Sequence, residues 1–244
     1  MNIGIIGAGN IGATLAQKLA AHGHTVKLAN SKGPETIRDL AHGLGATAVS
    51  REEAVQDVDV VILSIPFASS PELARVFSGV AADVVVIDTS NYYPFRDGQI
   101  SEVDDGQTEA VWVGEQLGQP VVKAWNAVLA ATLSDRGTPA GTPGRIAIPV
   151  AGDNAEAKAT ALQLVDATGF DGLDAGTLAE SWRQQPGTPA YCTELTRDEL
   201  GAALAAADRK RAPENRDAIM KTFTTGAAPL THDEMVARNR DMTG

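Results

Sequence analysis

Six residues near the start of the chain, Gly7-Ala8-Gly9-Asn10-Ile11-Gly12, follow the apolar run Ile3–Ile6 and open a segment in which Ile11, Leu15 and Leu19 recur at helical spacing. A strand, a glycine turn and a helix in that order are compatible with few folds. G-x-G-x-x-G alone is a weak signal, but a second strand-like run, Thr25–Ala29, closes the unit within about thirty residues, as a Rossmann βαβ requires. In that setting Gly7 permits the tight turn, Gly9 lets the backbone approach a pyrophosphate, and Gly12 lets the helix pack close to the strand. The amides at the helix N-terminus then face the phosphates.

Further apolar runs, at Ala46–Val49, Val58–Ile65, Val84–Ile87, Pro120–Ala124 and Ile146–Ala151, alternate with helix-like segments. The expectation is an α/β fold with a Rossmann-type, doubly wound, mostly parallel sheet. Val60–Leu63 and Val84–Ile87 are apolar at every position and predict central strands covered on both faces. Pro149 removes a ladder donor and predicts a position at or near a sheet edge. Ser50 with Glu53, and Asp153 with Glu156, predict helix starts, Ser70-Pro71 predicts a first helical turn, and Gly23 and Gly169 predict helix ends. From about residue 176 the pattern changes to a Gln-, Pro- and Gly-rich loop, Trp182–Tyr191, then an alanine-rich helix near Leu195–Arg211. The expected division is a nucleotide-binding domain over 1–175 and a loop and helical extension over 176–244, packed on the first domain or on a dimer partner. The last ten or so residues are expected to fray.

The 244 residues are 43% hydrophobic and 21% charged, which argues against disorder. The net charge of −11 opposes binding to a nucleic-acid backbone. The apolar runs are far shorter than the roughly 20 residues of a membrane-spanning helix. Met1-Asn2 leads into apolar sequence without a basic start or cleavage site, and one cysteine, Cys192, excludes an internal disulfide, so a soluble, cytoplasmic protein is expected. His22, His24, His42 and His232 read as structural, no spacing suggests a metal site, and Cys192 reads as a packed side chain. No catalytic acid or base is identifiable.

The second strand ends at Asn30-Ser31-Lys32, about twenty residues beyond Gly12, where a fold selective for NAD carries a carboxylate. Ser31 offers a hydrogen bond, Lys32 a positive charge, and Pro34 begins a turn whose amides favour an anion. These features suit the 2′-phosphate of NADP(H).

Several segments together resemble a family of dinucleotide-binding enzymes related to the NADPH-dependent reductases of the 8-hydroxy-5-deazaflavin coenzyme, factor 420. They are IGIIGAGNIG at Ile3–Gly12, LANSKGPE at Leu28–Glu35, VVILSIPF at Val60–Phe67, IDTSNYY at Ile87–Tyr93 and VVKAWNAV at Val121–Val128. The same nucleotide unit is similar to the cytosolic reductase domain of six-transmembrane metalloreductases. The resemblance implies that Gly9, Asn10 and Ile11 hold the pyrophosphate and that Asn30, Ser31 and Lys32 hold the 2′-phosphate. It also implies that Ser64, Ile65, Pro66 and Phe67 form a wall near the nicotinamide ribose, and that Asn91, Tyr92, Ala124, Trp125 and Asn126 neighbour the nicotinamide and its acceptor. The expected activity is hydride transfer between NADP and a planar small-molecule acceptor, a deazaflavin or flavin, by a protein that forms a homodimer. A noncatalytic NADP-binding sensor and an imine or carbonyl reductase are the alternatives.

Overall fold

The computed structural model describes residues 1–225 and 230–243. Its strands are β1 (Asn2–Ile6), β2 (Thr25–Ala29), β3 (Thr47–Ala48), β4 (Val60–Leu63), β5 (Val85–Asp88), β6 (Val122–Lys123), β7 (Ala147–Val150) and β8 (Asp171–Asp174). The helices are α1 (Asn10–Ala21), α2 (Arg38–Gly43), α3 (Arg51–Ala54), α4 (Ala74–Phe77), α5 (Pro94–Asp97), α6 (Ser101–Asp104), α7 (Glu109–Leu117), α8 (Ala130–Asp135), α9 (Ala155–Ala167), α10 (Arg197–Ala206), α11 (Ala212–Thr225) and α12 (His232–Thr243). The first six strands form one parallel sheet in the order β3-β2-β1-β4-β5-β6, the doubly wound arrangement expected from the glycine loop and the alternating runs.

Side chains alternate between the two faces of this sheet, and each face has its own core. Ile3, Ile5, Val60, Ile62 and Ile87 pack beneath α1 and α9 with Leu15, Leu19 and Leu164. Val61, Leu63 and Val86 pack on the other face with Phe67, Phe77, Trp112 and Val113. Each such aliphatic side chain, fully buried, contributes about 1.5–3 kcal/mol of transfer free energy. Covered on both faces, β4 has no polar positions, which is why its sequence does not alternate.

β7 and β8 pair with each other as a parallel two-stranded sheet, joined to β6 by one antiparallel bridge between Lys123 and Ala151. Pro149 thus lies outside the main sheet. β8, with the sequence Asp-Gly-Leu-Asp, has no apolar run to announce it; its backbone is recruited by β7.

The Ser50–Glu53 capping box is present on α3. At α9 the cap is Asn154, not Asp153: Asn154 Oδ1 accepts from the amides of Glu156 and Ala157, whereas Asp153 accepts from the amide of Leu178. Ser70-Pro71 does not begin a helix either, because a 3-10 helix already runs from Phe67 to Leu73. The alanine-rich helix is shorter than its composition suggests. Thr196 and Glu199 box its start, and Asp208 accepts from the amides of Lys210 and Arg211, folding a turn that separates α10 from α11. The terminal residues expected to fray form α12, which buries Val236, Asn239 and Thr243.

Candidate functional site

The loops after β1, β2 and β4 enclose a cleft of about 550 Å³ lined by Gly7, Gly9, Asn30, Ser31, Lys32, Arg51, Ser64, Ile65 and Pro66. It lies beyond the carboxyl ends of the strands, where open parallel sheets bind ligands. A larger groove of about 1280 Å³ lies among Asp57, Asp59, Asp83 and Val85, toward the opposite ends of the strands.

The three glycines differ in what they are for. Gly7 has φ +116°, and a Cβ there would sit 1.9 Å from the carbonyl oxygen of Ser64; at Gly12 it would sit 1.9 Å from that of Gly7. Both are demanded by the protein itself. At Gly9 a Cβ would meet nothing within 4 Å, so the space beside it is open for a ligand. Gly9 caps α1 without any side-chain hydrogen bond and with no acidic residue in the first turn. The amides of Asn10, Ile11 and Gly12 have no intrahelical acceptors, and the positive end of the helix dipole is left for an anion.

Asn30 has a local structural task. Its Oδ1 accepts from the amide of Lys32 at 3.0 Å and its Nδ2 donates to Thr36 Oγ1 at 2.8 Å, so the loop that presents Ser31 and Lys32 is cross-braced. Both presented side chains are exposed. Arg51, absent from the sequence-based set, joins them from the start of α3, 3.9 Å from Glu72. Its local signal is modest: it follows the Ser50 cap at the end of the βαβ-β3 run. Phe67 departs from the expected ribose wall. Its ring is fully buried and stacks on Trp112 at 4.7 Å, leaving Ser64, Ile65 and Pro66 to line the cleft.

At the ends of β5 and β6 the expected acceptor residues divide. Trp125 sits in the core beneath α1 and α9 with φ +55°, its Nε1 donating to Thr168 Oγ1, and Ala124 is fully buried. Tyr92 is buried against Phe67, and its hydroxyl lies among Gly98 O, Asp104 Oδ1 and the amide of Ile100. These three side chains therefore pack the fold instead of facing an acceptor. Asn91 and Asn126 do come together: Asn126 Nδ2 donates to Asn91 Oδ1 at 3.0 Å, and Asn91 Nδ2 donates to the backbone oxygen of Asn126 at 2.9 Å.

Three residues outside the expected acceptor set, Gln184, Tyr191 and Tyr93, complete this network. Gln184 Nε2 donates to Asn126 Oδ1 at 2.8 Å, Asn91 Nδ2 donates to Tyr191 Oη at 3.3 Å, and the hydroxyls of Tyr93 and Tyr191 are 2.6 Å apart. The Trp182–Tyr191 segment was conspicuous as a polar loop. Nothing local said that it folds back over β5 and β6.

Beneath the network lies a buried ion pair. Lys123 Nζ donates to Asp88 Oδ2 at 2.6 Å and to Ser90 O at 2.5 Å, and the amide of Ser90 donates to Asp88 Oδ1. Glu109, also buried, accepts from the amide of Tyr92, and burial pushes its carboxyl above the usual range despite the nearby Lys123. Burial pushes the Cys192 thiol up to about 12, so it is protonated and not nucleophilic at neutral pH.

The family model described as NADP oxidoreductase, coenzyme F420-dependent, matches residues 2–92. The hypothetical protein SMa0349 from Sinorhizobium meliloti, whose structure is solved, is 31% identical with a TM-score of 0.69, over 81% of this chain and 96% of that one. This chain belongs to the coenzyme F420-dependent NADP oxidoreductase family. The Escherichia coli K12 protein YjhV is 35% identical over 104 residues, which are 43% of this chain and 76% of YjhV. Rat metalloreductase STEAP3 is 28% identical over 181 residues, 73% of this chain and 34% of that protein. Among the described residues no helix is long and apolar enough to cross a membrane.

The C-terminal helices of this chain hold the loop that carries Gln184 and Tyr191. Cys192 and Glu194 have φ +56° and +50°, unusual for residues with side chains. α12 restrains them: Asn239 donates to Cys192 O, Arg240 to Thr193 O and Glu194 O, and His232 Nε2 lies 2.6 Å from Glu194 Oε1. α11 lies directly on Gly187, where a Cβ would come within 2.0 Å of Ala212 O. Gly187→Ala, with φ +87° there as well, is expected to lift α11 and loosen the 187–194 loop, at a cost of about 1–3 kcal/mol. Hydrogen exchange measures it: amides of 187–194 should exchange faster in the variant, and unchanged protection would show that α11 does not restrain the loop.

Proposed function

We propose that this member of an NADP-dependent oxidoreductase family transfers a hydride between NADP(H) and a planar redox acceptor, a deazaflavin or flavin. The observation that carries the cofactor half is the open space at Gly9, beside uncapped helix amides and in one cleft with Ser31, Lys32 and Arg51. The residues fit a dinucleotide phosphate. Gly7, Gly9, Asn10, Ile11 and Gly12 would hold the pyrophosphate, and Ser31, Lys32 and Arg51 the 2′-phosphate, with Asn30 bracing their loop. Ser64, Ile65 and Pro66 would border the ribose. When bound, the reduced nicotinamide supplies the hydride; the protein's part is to fix distance and orientation and to exclude water.

The acceptor half rests on position: Asn91, half-buried beyond β5 and braced by Asn126 beyond β6, stands where its carboxamide can border the polar edge of a flat ring. An imine or carbonyl reductase is the second reading, favoured by the Tyr93–Tyr191 hydroxyl pair, which offers a proton. Stopped-flow mixing of the NADPH-loaded protein with oxidised deazaflavin, FMN and a cyclic imine separates the readings by which acceptor is reduced. Tight NADPH binding with no turnover would mark a sensor instead. Self-association is also expected, through the exposed Gly201, Ala202, Ala205 and Ala206 of α10, and light scattering that shows a monomer would refute it.

Cofactor choice has its own test. Replacing Ser31 by Asp and Lys32 by Ala is expected to reverse a preference for NADPH over NADH in calorimetric titration. Each lost charge-assisted contact to phosphate costs about 1.5–3 kcal/mol, roughly one to two powers of ten in affinity. Equal affinity of the wild type for both cofactors would remove the 2′-phosphate assignment.

A further inference from the structure

Resting on the cofactor reading above, we propose that Arg51 and Glu72 form an exchangeable ion pair that sets how strongly the cleft prefers NADP(H) to NAD(H). Arg51 supplies the preference by binding the 2′-phosphate. Glu72 limits it by competing for the same guanidinium. The warrant is where the pair stands. Arg51, at the start of α3, and Glu72, in the 3-10 helix that follows β4, line both the cleft of about 550 Å³ and the groove of about 1280 Å³, and among the described residues no other lines both. Their side chains therefore form the partition between the two spaces, on the cleft that also holds Ser31 and Lys32.

The contact is a loose one. Arg51 Nη1 lies 3.9 Å from Glu72 Oε2, beyond hydrogen-bond range, and the two side chains are 31% and 65% exposed. Ion pairs as exposed as this are weak. Among the described residues the Arg51 guanidinium makes no hydrogen bond, so its planar set of donors is still to be used. The neighbouring Glu53 does not draw it away, because that carboxylate is engaged by the amide and hydroxyl of Ser50, each at 2.8 Å.

Charge and shape decide the exchange. A phosphate monoester carries about −1.5 to −2 charge at pH 7 and three strong acceptor oxygens, whereas a carboxylate carries a single charge. A guanidinium can meet the phosphate with two parallel N–H bonds. NADP(H) thus takes Arg51 from Glu72, whose exposed carboxylate is left to water. The 2′-hydroxyl of NAD(H) has no charge to offer, and the pair stays closed. Opening the pair counts against NADP(H) alone, so Glu72 acts on cofactor choice through Arg51.

Calorimetric titration with NADPH and with NADH, on wild type, Arg51→Gln, Glu72→Gln and the double variant, tests this. In Glu72→Gln the Kd for NADPH should fall roughly two- to fivefold, the worth of an exposed pair, with the Kd for NADH unchanged. In Arg51→Gln the ratio of the NADH to the NADPH Kd should fall roughly 10–100-fold. In the double variant the gain from Glu72→Gln should vanish, because no guanidinium remains to be released. An NADPH Kd that stays or rises in Glu72→Gln, or a gain that persists in full without Arg51, overturns the proposal. A wild type that binds no NADPH, or binds both cofactors equally, overturns the cofactor reading and this proposal with it. A wild-type preference for NADPH that both single variants keep overturns this proposal alone and leaves the preference to Ser31 and Lys32.

Discussion

Gly9→Val should raise the Kd for NADPH by roughly 10²–10⁴-fold while the protein stays folded. Two phosphate contacts to backbone amides, at about 1.5–3 kcal/mol each, account for that range. A Cβ at Gly9 would meet nothing within 4 Å, and Gly9 has φ −77° and ψ −173°, extended backbone open to any residue. The cost to folding is the poorer helix cap, about 1 kcal/mol, or roughly 2–4 °C in Tm for a chain of this size. Gly7→Val is the contrasting control. There the side chain would collide with Ser64 O in a left-handed conformation, so the fold itself should fail. Calorimetry and thermal melts on the two variants decide it. Undiminished NADPH binding by the folded Gly9→Val protein would remove the glycine loop from the site.

Asp88→Ala is expected to be the most destabilising single change near the network. It strands the Lys123 ammonium where both side chains are at most 1% exposed, and breaking a buried pair by removing one partner costs about 3–5 kcal/mol. It also frees the amide of Ser90. At roughly 2–4 °C per kcal/mol, the melting temperature should fall by about 6–20 °C. The pair joins the ends of β5 and β6, from which Asn91 and Asn126 depend, so the variant should also exchange faster at those amides. Asp88→Leu combined with Lys123→Met should recover much of the loss, because no charge is then left uncompensated. A melt of Asp88→Ala within 2 °C of wild type would show that the ammonium finds another partner.

Much of the nucleotide end was legible because its determinants are local. A positive φ at Gly7, the spacing of Ile11, Leu15 and Leu19, and the Ser50–Glu53 box all operate within one or two turns of chain, where hydrogen-bond geometry and sterics follow from neighbouring residues. The continuous apolar runs of β4 and β5 likewise announce strands buried on both faces, and their alternation with helices leaves little choice of sheet. Ser31 and Lys32 stood at a fixed distance after the glycine loop, and a fixed loop set their place in the cleft.

At the ends of β5 and β6 only Asn91 and Asn126 were legible, because the rest of their network comes from segments far apart in the chain. Tyr191 meets Asn91 across a separation of 100 residues and Gln184 meets Asn126 across 58, contacts that exist only once α11 and α12 have pressed the 184–194 loop onto the sheet. Side-chain direction was equally hidden. Phe67, Tyr92 and Trp125 occupy the right stretches of sequence, but the demand to fill two cores draws all three rings inward, and Trp125 adopts φ +55° to get there. Arg51 reaches the cleft because β3 lies beside β2, a pairing of distant strands. The sequence by itself determined the βαβ unit, its glycine loop and the place of Ser31 and Lys32 in the cleft beside it, since these follow from short-range backbone geometry. Tertiary structure alone decided which aromatic rings are core and which hydroxyls meet at Asn91, because burial and hydrogen bonding there are settled by the packing of the whole chain.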